Sequence, residues 1–366
     1  MRGQMRAARL HVPGQPLQVE TVDAPKLDPR DVLVRVEACG VIPNMNAILS
    51  GALWNLLPPL PAIVGLDAAG VVCDVGEDVD GVSVGDRVYV NPWLTCGTCH
   101  YCRTQTPMLC GRAAFQGYFG FFPESEKLLR RYPYGGFAQY MTAAPDRLVH
   151  LPVQVSFDHA ARFGYLGTSF SGLRFGQVGG GTWLAINGIT GTLGVGATLI
   201  ALAFGATRIL GIGRNRRILQ QLKALSPARI DVLALGDEAA SSWIRSRTDG
   251  IGADVLLDCS GRASDPAGAV DAVAGLKRGG VAINVGALSS MPLNAVDFMT
   301  GRLQFKGSNW FTTGEAQQMA EMAGVGALDL SSLVTKVYGL DEVNAALEAV
   351  KERPGGFTNL VVHPNH

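Results

Sequence analysis

Short apolar runs broken by turn residues fill the first 150 positions. Segments 31–37, 70–75 and 86–90 are rich in Val, and Gly, Asn or Pro follows each within three residues. This pattern predicts a mostly β unit. From about residue 157 the texture changes. Strand-like runs at 183–186, 208–212, 254–258 and 281–285 alternate with helix-like segments at 193–204, 217–225, 239–248 and 266–276. That alternation predicts a doubly wound parallel sheet, an α/β fold class. The last sixty residues return to mixed texture, with an amphipathic helix expected over 340–351. Residues 182–207 carry no charge and are long enough to span a bilayer. The run divides into a buried strand, a glycine turn and a buried helix, so it reads as an α/β unit rather than a span. The first ten residues have charges but no apolar stretch behind them, unlike a signal peptide. A cytoplasmic location is expected.

Composition narrows the class. The 366 residues contain 31 Lys+Arg and 31 Asp+Glu, are 47% hydrophobic and 17% charged, and include 46 Gly. A disordered chain would be less apolar and carry more net charge, and a nucleic-acid binder would show a basic excess. The glycines follow no collagen period. The length allows two domains, each with its own core.

Four of the seven cysteines, Cys96, Cys99, Cys102 and Cys110, crowd into one short segment with spacing C-x2-C-x2-C-x7-C. Four thiolates suit tetrahedral zinc, and a site closed by four protein ligands has a structural role. An iron–sulfur cluster uses the same ligand set, and disulfides would require an oxidising compartment. Cys39, Cys73 and Cys259 sit in apolar runs and read as small core residues.

After the strand ending at Ile186 comes Asn187-Gly-Ile-Thr-Gly-Thr-Leu-Gly194, then a helix. Glycines in such a turn let the backbone approach a pyrophosphate seated on the helix N-terminus. Gly188, Thr190, Gly191, Leu193 and Gly194 are therefore candidate cofactor residues. The next strand ends at Gly213-Arg-Asn-Arg-Arg217, where an NAD site would carry an acidic residue for the ribose hydroxyls. Gly213, Arg214 and Asn215 instead predict NADP(H), Arg214 meeting the 2′-phosphate; a solvated basic helix start is the alternative. Positive charge there opposes the helix dipole, which favours a compensating phosphate.

Taken together, several segments resemble the medium-chain dehydrogenase/reductase superfamily. They are Val36-Glu-Ala-Cys-Gly-Val41, Gly65-Leu-Asp-Ala-Ala-Gly70, Gly85-Asp-Arg-Val88, the cysteine lobe, Gly135-Gly-Phe-Ala-Gln-Tyr140, the glycine turn and Asp254-Val-Leu-Leu-Asp-Cys-Ser-Gly261. The resemblance implies a GroES-like β domain built from residues 1–155 and 303–366, with a zinc lobe at 91–112, and a Rossmann NADP-binding domain at 156–302. It also implies pairing of subunits through the Rossmann sheet edge, giving a homo-oligomer (dimer or tetramer), and a small-molecule substrate.

Zinc alcohol dehydrogenases of the superfamily hold a second, catalytic zinc. This chain has Ile42, Leu66 and Tyr165 where the resemblance expects its three ligands, and Asn44 where a proton-relaying hydroxyl is usual. Neither Ile nor Leu ligates a metal, so one structural zinc and no catalytic zinc are expected. Segments 39–44 and 65–67 look more like the zinc-free quinone oxidoreductases and enoyl reductases of the superfamily, which generally lack the cysteine lobe.

Without a Lewis acid, oriented donors must stabilise the developing oxyanion. Tyr165 and Asn44 are the catalytic candidates; pocket filling is the alternative for Tyr165, and a pocket or cofactor contact for Asn44. A conjugated acceptor suits this arrangement, because hydride attack spreads charge into an enolate. Three functions follow, in order: NADP(H)-dependent reduction of a conjugated C=C or quinone-like substrate, zinc-independent ketone reduction or alcohol oxidation, and cofactor binding with little catalysis. Nine aromatic residues between Phe115 and Tyr140 suggest either a pocket for a bulky apolar ligand or local packing. The resemblance also puts Val285 and Gly286 beside the nicotinamide carboxamide and Trp310 near the cleft, in contact with substrate or in the core.

Overall fold

The computed structural model describes residues 3–53, 56–262 and 264–366. Met1 and Arg2, at the head of the stretch read as unlike a signal peptide, lie outside the described residues. Among those described, the valine-rich runs form one seven-stranded sheet. Its centre is the Val32–Val41 strand, buried at eight of ten positions and paired antiparallel with Asp67–Val75, Tyr140–Ala143 and Thr358–His363. Such near-complete burial requires an almost continuous apolar run, which is what Val-Leu-Val-Arg-Val-Glu-Ala-Cys-Gly-Val supplies. Thr358–His363 brings the C-terminal segment back into the sheet of the N-terminal one.

The middle of the chain forms a six-stranded parallel sheet in the order Ile230–Ala234, Arg208–Gly213, Trp183–Asn187, Ala253–Asp258, Leu276–Asn284, Gln304–Gly307. This is the doubly wound order of a dinucleotide-binding sheet. The four predicted strands and their intervening helices occur as expected, within a few residues at most ends. The 182–207 run forms the Trp183–Asn187 strand and the Thr192–Ala203 helix, and among the described residues no helix is long and apolar enough to cross a membrane.

Three of the elements that were not anticipated bear on the parallel sheet and the cleft. Ile230–Ala234 has Asp231 inside its short apolar run, which interrupts the signal. Gln304–Gly307 joins the parallel sheet beyond the expected limit at residue 302. The helix Phe163–Phe175 contains three Gly, two Ser and one Thr, which weaken its helix signal. Ten of its thirteen residues are buried, so no polar face marks its period.

That helix sits between the two sheets, and the residue before it joins them. Arg162, buried, donates to the carbonyls of Thr358 (3.0 Å), Gly356 (2.7 Å) and Thr192 (3.4 Å). These belong to the returning C-terminal segment and to the first turn of the Thr192–Ala203 helix. Removing a buried charged partner leaves its acceptors desolvated and unpaired. Arg162→Met is expected to cost roughly 3–5 kcal/mol in chemical denaturation; a loss below about 1 kcal/mol would show that the guanidinium does not hold these segments.

Candidate active site

The parallel strands Trp183–Asn187 and Ala253–Asp258 are neighbours whose helical connections leave in opposite directions, which makes their C-terminal ends the switch point of the sheet. A cleft of ≈ 2020 Å³ opens there and continues to the β sheet. Small-ligand pockets are typically ~300–1,000 Å³, so this one has room for a dinucleotide together with a substrate.

The glycine turn is built as a dinucleotide requires. Gly188 has φ +77°, a left-handed conformation that favours glycine. A Cβ on Gly194 would stand 2.4 Å from Ile189 Cα, so the helix closes against the turn only because that side chain is absent. Gly191 precedes Thr192–Ala203 and provides no side-chain cap, leaving first-turn N–H groups for an anion. Thr190 packs against Gly213, where a Cβ would meet Thr190 Cγ2 at 2.6 Å, and Leu193 lines the cleft. These residues fit a bound pyrophosphate. Val285 and Gly286 donate backbone N–H to Asp258 O (3.1 and 3.0 Å) and also line the cleft. Beneath them Asn187 Nδ2 donates to Asp258 Oδ1 (2.8 Å) and Ser260 Oγ (2.9 Å), a buried network tying the two switch-point strands.

Arg214 is exposed on the cleft wall. Asn215 lines it too, but its side chain also caps the Arg216–Leu225 helix by accepting from Ile218 N (3.2 Å). Arg216 pairs with Asp237 at 2.5 Å. Part of the basic charge at this helix start is thus balanced within the protein, which weakens the dipole argument for a phosphate and leaves Arg214 as the relevant charge. Arg353, with φ +50°, also lines the cleft, next to a segment whose Gly356 N donates to Thr190 O (3.0 Å). Nothing in its local sequence distinguishes it from a surface arginine.

At the other end of the cleft stand the residues that replace metal ligands in the resemblance. Ile42 and Leu66 are 5% and 3% exposed and apolar. Tyr165 OH lies 3.4 Å from Asn44 Oδ1, so the structure brings the two catalytic candidates together. A second phenol reaches the same atom: Tyr118 OH donates to Asn44 Oδ1 at 2.9 Å. Sequence reading placed Tyr118 only among the nine clustered aromatics. Burial raises the pKa of both phenols, so they remain protonated donors over the working range.

The nine aromatics divide between the alternatives. Phe115, Tyr118 and Phe119 line the cleft, while Phe137 is buried and Tyr132 OH donates to Asp31 Oδ1 at 2.9 Å. Trp310 does both. It lines the cleft, packs on Phe115 at 4.5 Å, and donates Nε1–H to Asn91 Oδ1 at 3.0 Å.

Behind the phenols lies Asp67, 1% exposed, which accepts from Tyr89 OH at 2.8 Å and has Oδ2 unpartnered. Burial raises its pKa to about 7, and the Tyr89 bond, the Arg162 charge and the Gly164 N–H offset this only in part. Tyr89, Arg162, Cys39, Tyr118 and Tyr165 are the titratable groups around it.

The four lobe cysteines converge as expected. Their sulfurs lie within 4.8 Å of one another, with Cys99–Cys102 at 3.5 Å, Cys96–Cys110 at 3.6 Å, Cys99–Cys110 at 3.9 Å and Cys96–Cys102 at 4.0 Å. Zn–S bonds of ~2.3 Å in a tetrahedron put sulfurs ~3.8 Å apart, so the set fits one zinc ion. Thiolates on separate irons of a cluster would stand farther apart. Among the described residues this is the one grouping of three or more His, Cys, Asp or Glu able to share an ion.

The comparisons with known proteins match this architecture. The alcohol dehydrogenase GroES-like domain matches residues 28–153, and the zinc-binding dehydrogenase domain matches residues 192–324. An alcohol dehydrogenase of Geobacillus stearothermophilus is 32% identical over 344 residues, covering 93% of this chain and 94% of that one. The chain belongs to the zinc-type alcohol dehydrogenase family. It is an oxidoreductase of the medium-chain dehydrogenase/reductase superfamily, with the expected GroES-like and Rossmann folds. The crystal structure of AibC superimposes with TM-score 0.85 at 27% identity, covering 100% of this chain and 97% of that one. A Sinorhizobium meliloti 1021 protein of the zinc-binding dehydrogenase kind, crystallised with NADP, shares the fold: TM-score 0.84, 22% identity, 99% of each chain.

The Asp67 carboxyl gives this dehydrogenase a pH signature. Its folded pKa lies above the unfolded value of 3.8, so between about pH 4 and 7 the folded state holds a proton that the unfolded state has lost. Stability contributed by this group therefore falls as pH rises from 4 to 7 and levels off above. In urea unfolding, Asp67→Asn should flatten the profile across that window; an unchanged slope would mean that Asp67 ionises freely.

Proposed function

We propose that this family member is an NADP(H)-dependent oxidoreductase that works without a catalytic zinc and transfers hydride to a conjugated C=C or quinone-like acceptor, bulky or apolar in character. The observation carrying this reading is the Tyr118–Asn44–Tyr165 contact beside apolar Ile42 and Leu66, at the end of a cleft that starts on a dinucleotide turn. Bound NADPH supplies the hydride. The chain's residues do the rest. Gly188, Thr190, Gly191, Leu193 and Gly194 hold the pyrophosphate, Gly213, Arg214 and Asn215 hold the phosphorylated ribose, and Val285 and Gly286 border the nicotinamide. Hydride addition to the β-carbon moves the π electrons onto the carbonyl oxygen. Tyr165 and Asn44 orient and stabilise that oxygen, and the α-carbon takes a proton from water or Tyr165. Phe115, Phe119 and Trp310 form the wall facing the apolar part of the acceptor.

Cys96, Cys99, Cys102 and Cys110 hold one structural zinc that secures the lobe; Met108 and Leu109, just before Cys110, line the cleft. We assign residues 1–155 and 303–366 to the β domain and 156–302 to the Rossmann domain, with the last parallel strand supplied from across that limit. A cytoplasmic homo-oligomer, dimer or tetramer, acting on a small molecule is in keeping with the family. The alternative, a zinc-independent NADP-dependent ketone reductase or alcohol dehydrogenase, is favoured by the relatives: besides the enzyme above, a Bacillus subtilis (strain 168) sorbitol dehydrogenase is 27% identical over 368 residues.

Steady-state assays with purified protein separate these readings. NADPH is expected to support enone reduction with a KM at least tenfold below that of NADH, and Arg214→Ser to raise the NADPH value about tenfold while leaving NADH nearly unchanged. Ketone turnover without enone turnover would establish the alternative. Metal analysis of turning-over enzyme should give one zinc per chain, and two would overturn the zinc-independent mechanism.

A further inference from the structure

We propose that Tyr118 is a catalytic residue, forming with Tyr165 a two-phenol receptor for the conjugated carbonyl oxygen of the substrate, with Asn44 as the amide that holds the phenols together. This rests on the reading above and extends it: the sequence-derived site contains one phenol, and the structure assigns two.

Both hydroxyls meet one acceptor, Asn44 Oδ1, at 2.9 Å from Tyr118 and 3.4 Å from Tyr165. A carbonyl oxygen accepts two such bonds, so the resting site already brings two O–H groups to a single oxygen. Reversing the Asn44 amide about its terminal bond presents Nδ2, with two hydrogens, to the two phenolic oxygens. Both phenol protons are then free for a ligand oxygen in the cleft.

The position of Tyr118 is set by backbone, not by its own contacts alone. Gly117 precedes it with φ +66°, and a Cβ there would stand 2.4 Å from Gly135 Cα and 2.6 Å from Gly65 O. Gly65 N donates to Gly117 O (3.0 Å), and Gly136 N donates to Gly65 O (2.9 Å). Three chain segments interlock through glycines, and they fix Tyr118 beside Leu66 at the apolar end of the cleft.

The chemistry of the receptor selects its ligand. Burial keeps both phenols protonated, so they donate and do not act as bases. Arg162, the nearby cation, commits its two terminal nitrogens to three backbone carbonyls and faces Asp67, while its Nε has no protein partner. An oxygen that is neutral on arrival and gains charge only during hydride addition suits two neutral donors in apolar surroundings. That describes the carbonyl of an enone or a quinone.

Two measurements test the receptor. With NADP+ present, wild-type enzyme should bind 4-nitrophenolate, an enolate mimic, at least tenfold more tightly than nitrobenzene. Tyr118→Phe, which keeps the ring, should remove most of that preference, and Asn44→Asp, which leaves both phenols an acceptor, should remove it through repulsion. For 2-cyclohexen-1-one, Tyr118→Phe should lower kcat about 10²-fold, with the affinity for NADPH unchanged by fluorescence titration. If enones are reduced but Tyr118→Phe leaves kcat within twofold and the phenolate preference intact, the receptor is overturned and the enone-reductase reading stands. If enones are not reduced yet the preference depends on Tyr118, the receptor stands and the reading falls. Should Tyr118→Phe lower the thermal midpoint so far that it cannot be assayed, the Asn44→Asp result decides: a retained phenolate preference overturns the proposal.

Discussion

One buried guanidinium ties the molecule together. Arg162 donates to Thr192 O at the head of the dinucleotide helix and to Gly356 O and Thr358 O on the returning C-terminal segment. Burial lowers its pKa to about 10, still far enough above neutrality to keep it charged. The cleft exists because these segments meet at a fixed spacing. Tyr165, three residues on, is one turn along the same helix, so the group that joins the two sheets also sets one wall of the site. Asp67 depends on the same charge, which offsets part of the cost of burying its carboxyl.

In the proposed mechanism the second constraint is that hydrogen bonding does the work of a metal. A Lewis-acidic zinc contributes several kcal/mol to stabilising a developing oxyanion. A single oriented donor contributes about 3–4 kcal/mol in sites that exclude water. Two phenols converging on one point are therefore of comparable magnitude, provided they are held rigidly and kept dry. Ile42 and Leu66 supply the apolar surroundings, and the glycine interlock of residues 65, 117, 135 and 136 supplies the rigidity. The cysteine lobe contributes at a distance: Trp93 donates Nε1–H to Pro107 O (3.4 Å) and packs on Phe115 at 5.2 Å, linking the lobe to the aromatic wall.

Much of this was legible in the sequence, and the exceptions share a cause. The cysteine spacing and the glycine turn are local signals, each determined by chemistry within a few residues, and the structure places them as read. Four of the six parallel strands were legible because each is a compact apolar run beside a helical segment. Phe163–Phe175 was not, because burial on all sides removes the polar positions that would mark its period. Tyr118 and Arg162 were missed for a different reason: their partners lie 74 positions away at Asn44 and 196 away at Thr358. A contact across such separations leaves no trace in local pattern. Asn215 combines a local and a site position: it lines the cleft, and its side chain also caps a helix.

A crystal structure of the enzyme with NADP+ and an unsaturated ketone would test the central claim most directly, through the surroundings of the ketone oxygen. The account predicts that oxygen within ~2.7–3.1 Å of both the Tyr118 and Tyr165 hydroxyls, with the Asn44 amide reversed between them and Ile42 and Leu66 against the hydrocarbon. A metal ion on that oxygen, or a ketone bound with its oxygen away from both phenols, would contradict it.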